Sequence, residues 1–230
     1  MIEITWLGHA TFQLRLESGE VLVLDPWTEG NPKYPSGHKF DRVDAILVSH
    51  GHFDHIHDAV SLAKKFSPKV VAIFETCHWL ESKGVKNCSA MNKGGTQEVV
   101  GGVSATMVHA VHSCGIVDGD KIIYGGEASG YVLHFADGRA LYFAGDTAAF
   151  SDMALIAELY QPELALLPIG DHFTMGPRAA AKALDLLKVK TVIPMHFGTF
   201  PQLTGTPDAL AKLSPGVKVW TLEIGKPTAW

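Results

Sequence analysis

Apolar residues near the start of the chain fall into short runs that alternate with polar ones. Residues 2–6, 11–16 and 21–24 read as strands, with turns at Gly8 and Gly19. Residues 26–40 are rich in Gly, Pro, Asn and Ser and read as a loop. Residues 45–48 form an apolar run bounded by polar positions, the pattern of a buried strand. A helix is predicted at 59–66, before Pro68, then a strand at 70–74 and a helix at 76–82 that stops near Gly84. A β-rich stretch follows, with strands at 97–100, 103–108, 121–124, 130–135 and 140–144. Asp137-Gly138 is a strong hairpin signal between the last two. Helices at 152–160, 177–188 and 207–213 then alternate with strands at 164–167, 191–194 and 217–222. Pro177 suits a first helical position. The order is a β-meander, a β–α passage, a second meander and a second β–α passage. Two such halves predict the α/β class, as a four-layer αββα sandwich. Residues 1–230 are expected to form a single domain.

Composition narrows the picture by exclusion. Hydrophobic residues make up 47% and charged residues 19%, which fits a folded chain rather than a disordered one. The formal net charge is −5 and no Lys/Arg run exceeds two residues, so no nucleic-acid partner is expected. Three cysteines, Cys77, Cys88 and Cys114, provide no disulfide framework. The N-terminus lacks the basic and apolar regions of a signal peptide, and no apolar run reaches the roughly 18 residues of a membrane span. The expected location is therefore cytoplasmic, away from membranes.

Histidine, with twelve residues, is over-represented. The informative run is Ser49-His50-Gly51-His52-Phe53-Asp54-His55, directly after the apolar residues 45–48. In extended backbone, residues i and i+2 point to the same side, so His50 and His52 can face one metal ion. Gly51 lets the backbone turn closely between them. Asp54 and His55 fall where the chain enters a helix and can face a second ion. A loop of solvated histidines would not concentrate four ligand-type side chains in six positions behind a buried strand. His57 falls outside that spacing and reads as a surface or cap residue.

One cluster cannot close two metal sites. His112, Asp146 and His196 each follow a predicted strand, where ligand sites of open sheets gather. Each alone could be an ordinary loop residue. With the first cluster they make seven ligands, the number a two-metal hydrolytic site needs. His109 competes with His112, and spacing does not separate them.

These residues resemble the signature of the metallo-β-lactamase superfamily, HxHxDH followed by a distant His, an Asp and a His. The resemblance extends in order along nearly the whole chain. It is strongest to the small metal-dependent hydrolases related to L-ascorbate-6-phosphate lactonase. Supporting stretches are Leu7-Gly8-His9-Ala10, Asp25-Pro26, Tyr124-Gly125-Gly126-Glu127 and residues 144–147, 166–177 and 194–201. The resemblance implies that His50, His52 and His112 hold one metal, that Asp54, His55 and His196 hold another, and that Asp146 bridges them. Asp25 would orient the histidines from behind, and His9 would stand close without being a ligand. Cys114 and His172 depart from the expected pattern. Cys114 reads as a small core or loop residue, and His172 as either a substrate contact or a loop residue. His38, His78 and His134 have no supporting neighbourhood.

The implied cofactors are two divalent metal ions, zinc first, with Mn, Fe or Ni compatible. The implied function is hydrolysis of a small ester, lactone or related substrate by a hydroxide that the two metals activate, with Asp54 and His196 as catalytic residues. The loops at 170–176 and 197–201 are expected to wall the pocket. Phe173, Met175 and Phe200 either contact substrate there or seal the loops onto the core, and Asp171 is a pocket acid or a turn residue. The expected partner is a small molecule, and a homo-oligomer is left open. Two alternatives stand beside this reading: a phosphodiesterase or nuclease on the same site, and a metal-binding protein without turnover.

Overall fold

A computed structural model describes residues 1–230 and contains two seven-stranded mixed sheets. The first runs in the spatial order Thr228–Ala229, Ile2–Trp6, Phe12–Leu16, Val21–Leu24, Ala45–Leu47, Lys69–Ile73, Cys88–Met91. Its first three pairings are antiparallel and its last three parallel. The second runs Thr96–Val100, Val103–His109, Ser129–His134, Ala140–Phe143, Leu164–Pro168, Thr191–Met195, Lys218–Val219. It too has three antiparallel pairings followed by three parallel ones. The two halves therefore repeat one succession of strand directions. A separate hairpin, Gly115–Asp118 with Lys121–Tyr124, interrupts the second half.

The period of two in each strand sorts side chains into layers. Leu22 and Leu24 face the space between the sheets, where they meet residues such as Tyr131, Leu133, Phe143 and Leu166. Val21 and Val23, one step out of phase, join Ile46 and Val70 under Leu62, Ala63 and Leu80 of the helices Ala59–Phe66 and Phe74–Ser82. The second sheet is covered likewise, with Tyr142, Ala165 and Val192 under Ile156, Leu184 and Leu210 of Met153–Tyr160, Pro177–Leu187 and Pro207–Leu213. Strands buried on both faces read as unbroken apolar runs, as VLVL and LALLP do. The four-layer αββα sandwich is present, as predicted. No helix is long and apolar enough to cross a membrane.

The differences from the predicted elements lie at edges. Phe74, expected to end a strand, opens the helix Phe74–Ser82 and is largely exposed. The strand expected at 217–222 shrinks to Lys218–Val219 on a sheet edge. Cys88–Met91, Gly115–Asp118 and Thr228–Ala229 form strands where none was expected. All three are short, and none has the alternation that marks a half-buried strand. Thr228–Ala229 exists only because the chain end returns to Ile2–Trp6, where Ile2 and Trp230 exchange backbone hydrogen bonds of 3.2 and 2.8 Å.

Candidate metal centre

The strand Ala45–Leu47 delivers Ser49 and His50 to the end of the sheet, and the short helix Phe53–Ile56 follows at once, presenting Asp54 and His55. His50 Nε2 lies 3.0 Å from His52 Nδ1, and His112 Nε2 lies 3.2 Å from the same atom. These three imidazoles form one group. Asp54 Oδ2 stands 3.7 Å from His55 Nε2 and 3.6 Å from His196 Nε2, which forms a second. Asp146 lies between them. Its Oδ2 is 3.2 Å from His55 Nε2 and 3.0 Å from His196 Nε2, and 3.9 and 3.7 Å from Nε2 of His50 and His112. All seven residues singled out in the sequence are thus brought together.

The donor set fits metal ions. Nε2 of His55, Nε2 of His196 and Oδ1 of Asp146 are buried and make no hydrogen bond. The short distances to Asp146 Oδ2 therefore lack hydrogen-bonding angles, as expected of atoms aimed at a common centre. Buried polar atoms left unpaired are costly, and a cation would satisfy all three. Two further imidazole nitrogens, each about 3 Å from His52 Nδ1, make with it a donor group suited to a shared cation. Electrostatics agree. Burial, with the charge on His55 nearby, holds His50 well below the ordinary histidine pKa, so it stays an unprotonated donor. Burial also lowers His52 and His112. At His55 and His196 burial opposes charge, but Asp146 and neighbouring carboxylates overcome it, holding His55 well above the ordinary value and His196 at about 9. A bound cation would take the place of those protons against Asp146.

Further residues hold the donors in place. Asp25 is wholly buried, and burial pushes its carboxyl pKa up. Its Oδ1 accepts from the Ser49 backbone N–H at 2.7 Å, and its Oδ2 faces Ser49 Oγ at 2.5 Å and His55 Nδ1 at 2.7 Å. This leaves His55 Nε2 to face the cluster. Ser49 Oγ is also 2.9 Å from His50 Nδ1. His9 lies with Nε2 2.9 Å from Asp54 Oδ2 and Nδ1 2.9 Å from Thr199 Oγ1, and burial lowers its pKa to about 4. It is close enough to join the second donor group as well as to brace Asp54. Ser49 and Thr199 carried no role in the sequence analysis, because their neighbourhood exists only in the fold.

A family model described as "Beta-lactamase superfamily domain" matches residues 21–197. The chain belongs to the metallo-β-lactamase superfamily. It is similar to the UPF0173 metal-dependent hydrolase of Solibacter usitatus (strain Ellin6076), 68% identical over the full length of both chains. Its similarity to the corresponding protein of Koribacter versatilis (strain Ellin345) is 60% identity over 92% of this chain and 91% of that one. Among solved structures it resembles Igni18, a metallo hydrolase of Ignicoccus hospitalis KIN4/I, at 32% identity and a TM-score of 0.86, covering 99% of this chain and 97% of that one. An isothiocyanate hydrolase from Delia radicum gut bacteria shares the fold, at 20% identity and a TM-score of 0.72 over 99% of each chain. The chain is a metal-dependent hydrolase of this superfamily.

Within this metallo-β-lactamase fold the remaining candidates separate. His109, the last residue of Val103–His109, is exposed; its Nδ1 is 3.0 Å from Lys93 Nζ and its ring packs edge-on to Phe150. It is His112, three residues on, that reaches the cluster. His57 caps the short helix beside Asp58 at 3.2 Å. Cys114 is buried, and its Sγ accepts from the Gly51 N–H at 3.3 Å, so it packs beneath the motif. Asp171 accepts the N–H of His172 at 2.8 Å in a turn where both have positive φ, and His172 is exposed. His78 is exposed, His38 packs against Tyr34 and Phe40, and His134 is hydrogen-bonded to Thr106 away from the cluster.

A cavity of about 330 Å³ opens over the donors, with Asp54, His112 and Asp146 on its floor. Phe173 and Phe200 line it, as the expected loop walls require. Met175 is buried among core residues, and Phe197 packs on Trp6. Val117, on the unanticipated strand Gly115–Asp118, is a further wall.

Proposed function

We propose that this chain hydrolyses a small ester, lactone or related acyl substrate at a two-metal site. His50, His52 and His112 would hold one ion; Asp54, His55 and His196 the other; Asp146 would bridge. Zinc is the first choice for this donor set, with Mn, Fe or Ni compatible. The supporting observation is Asp146 Oδ2, which stands 3.0–3.9 Å from imidazole nitrogens of both groups. Two divalent ions held there would supply a water of near-neutral pKa and positive charge against the developing oxyanion.

The chain's own residues do the rest. His9 pins Asp54 through Oδ2, and Asp54 lines the cavity, where its carboxylate would accept a hydrogen bond from the attacking water. His196 enters from the opposite sheet, so that both halves contribute to one centre. Ser113 Oγ, 3.2 Å from His52 Nε2, fixes the ring whose other nitrogen faces the cluster.

The test is metal content and turnover for the wild type, His52→Ala and Asp146→Ala, before and after chelation. Bound metal and turnover should fall together in both variants, with far-UV circular dichroism unchanged. Undiminished turnover in a metal-free sample overturns the proposal. Faster turnover of bis-p-nitrophenyl phosphate than of every lactone and ester would replace it with a phosphodiesterase. Failure across the whole panel with metal fully bound would leave a binding protein.

A further inference from the structure

The cavity over the donors has a second character that the donors do not require. Phe53, Val117, Phe173 and Phe200 line it, while no Lys or Arg does. Phe53, Val117 and Phe173 are 52, 63 and 53% exposed, although large apolar side chains elsewhere are mostly buried in the cores. The four come from four separate parts of the chain. Phe53 opens the short helix after His52, Val117 sits on the hairpin strand Gly115–Asp118, and Phe173 and Phe200 stand in the loops after Leu164–Pro168 and Thr191–Met195. No single amphipathic segment accounts for that convergence.

The wall is also braced from behind. Trp27, 3% exposed, stacks on Phe200 with centroids 5.9 Å apart and meets Phe53 edge-on at 5.5 Å. Lys83, which pairs with Asp118 next to Val117 at 2.7 Å, and Lys93, which pairs with Glu127 at 2.6 Å, are already engaged. Apart from the donor residues, Ser113 is the one polar side chain in the lining.

We infer that the substrate presents an uncharged, apolar substituent to the wall formed by Phe53, Val117, Phe173 and Phe200, and that a carboxylate or phosphate at that end is selected against. The inference rests on the proposed hydrolysis of an ester or lactone. An anionic substituent held at this wall, away from the donors, would lose its hydration against aromatic faces and find no Lys or Arg partner there. Each methylene removed from water against this wall instead favours binding by about fourfold. The cavity's volume of about 330 Å³ lies at the small end for ligand sites, so the substituent is a short chain or ring rather than a polymer.

The test uses the full-length, zinc-loaded protein. Values of kcat/KM are measured for p-nitrophenyl esters of increasing acyl length and for γ-lactones of increasing alkyl length, each beside a counterpart ending in carboxylate or phosphate. A rise of about fourfold per methylene over the first few carbons is expected, with a drop of at least about tenfold for the charged ends. In parallel, dissociation constants are measured calorimetrically for alkyl hydroxamates of the same lengths, with and without a terminal carboxylate, so that affinity is read without turnover. Phe173→Ser and Val117→Ser, at largely exposed positions that the fold tolerates, should flatten the length dependence in both series. A flat dependence in the wild type, or preference for the anionic ends, overturns the inference. If no ester or lactone is turned over, the proposed hydrolysis fails, and the hydroxamate series alone decides the character of the wall.

Discussion

Asp25 does not line the cavity, yet two of the centre's histidines depend on it. Its Oδ2 sits 2.7 Å from His55 Nδ1 and 2.5 Å from Ser49 Oγ, which in turn contacts His50. A carboxylate accepts from every one of these partners; an amide cannot. In Asp25→Asn the Ser49 N–H keeps its acceptor, but the new NH₂ group faces His55 Nδ1. The ring then carries its proton on Nε2, the nitrogen that points at the cluster. Affinity for the second ion should fall by about 10–100-fold, while the chain stays folded. Competition with a chromophoric chelator checks this, and unchanged affinity would show that Asp25 serves stability alone. The sequence made Asp25 a candidate through its place after an apolar strand and through resemblance. It carried no sign of Thr199 as the partner of His9, because the two are far apart along the chain and meet only where two loops pack.

At the scale of elements, the site is a set of strand ends. Asp25 follows Val21–Leu24, His50 follows Ala45–Leu47, Asp146 follows Ala140–Phe143 and His196 follows Thr191–Met195. His9, Asp25 and His196 have φ of 56, 44 and 55°, in the left-handed region. That conformation costs about 1–2 kcal/mol for a residue with a Cβ. Its presence at three site residues marks where the chain turns abruptly to aim a side chain. The turn at His196 has little spare room: a Cβ on Gly170 would lie 2.0 Å from the His196 carbonyl oxygen. Gly170→Ala should therefore displace His196, destabilise the fold by about 1–3 kcal/mol, and reduce metal stoichiometry toward one ion per chain. Denaturant unfolding and elemental analysis measure the two effects. A variant that binds two ions normally would show that the loop has slack. Strand cores such as residues 21–24 and 164–167 were legible because continuous apolar runs have few other uses. The strand Gly115–Asp118 was not, since its sequence GIVD shows no alternation of polar and apolar positions; with Lys121–Tyr124 it belongs to neither large sheet.

The whole molecule is closed by its end. Thr228–Ala229 covers the open edge of Ile2–Trp6, and Trp230 packs edge-on to Phe135 at 5.7 Å with the Arg139 guanidinium over its ring at 4.5 Å. Deleting residues 226–230 should cost about 2 kcal/mol, roughly the burial of one large apolar side chain. It should also promote aggregation through the uncovered strand edge, while metal stoichiometry stays at the wild-type value. Unfolding midpoints, light scattering and metal analysis together test this, and a loss of metal would tie the terminus to the site. This contact joins the two halves, each of which repeats three antiparallel and three parallel pairings.

The sequence by itself determined the architecture class and the four donors of the HxHxDH run, because both are written locally. Alternating and unbroken apolar runs specify strands, and HxHxDH places four donors within six residues. Only the tertiary structure decided between His109 and His112, since the choice depends on which residue beyond a strand end reaches back across 60 positions to His52. It also decided that Asp146 stands between the two groups of histidines, and that Phe53, Val117, Phe173 and Phe200 share a cavity. Those facts are distances between segments remote in the chain, set by how two sheets pack, and no local pattern of residues encodes them.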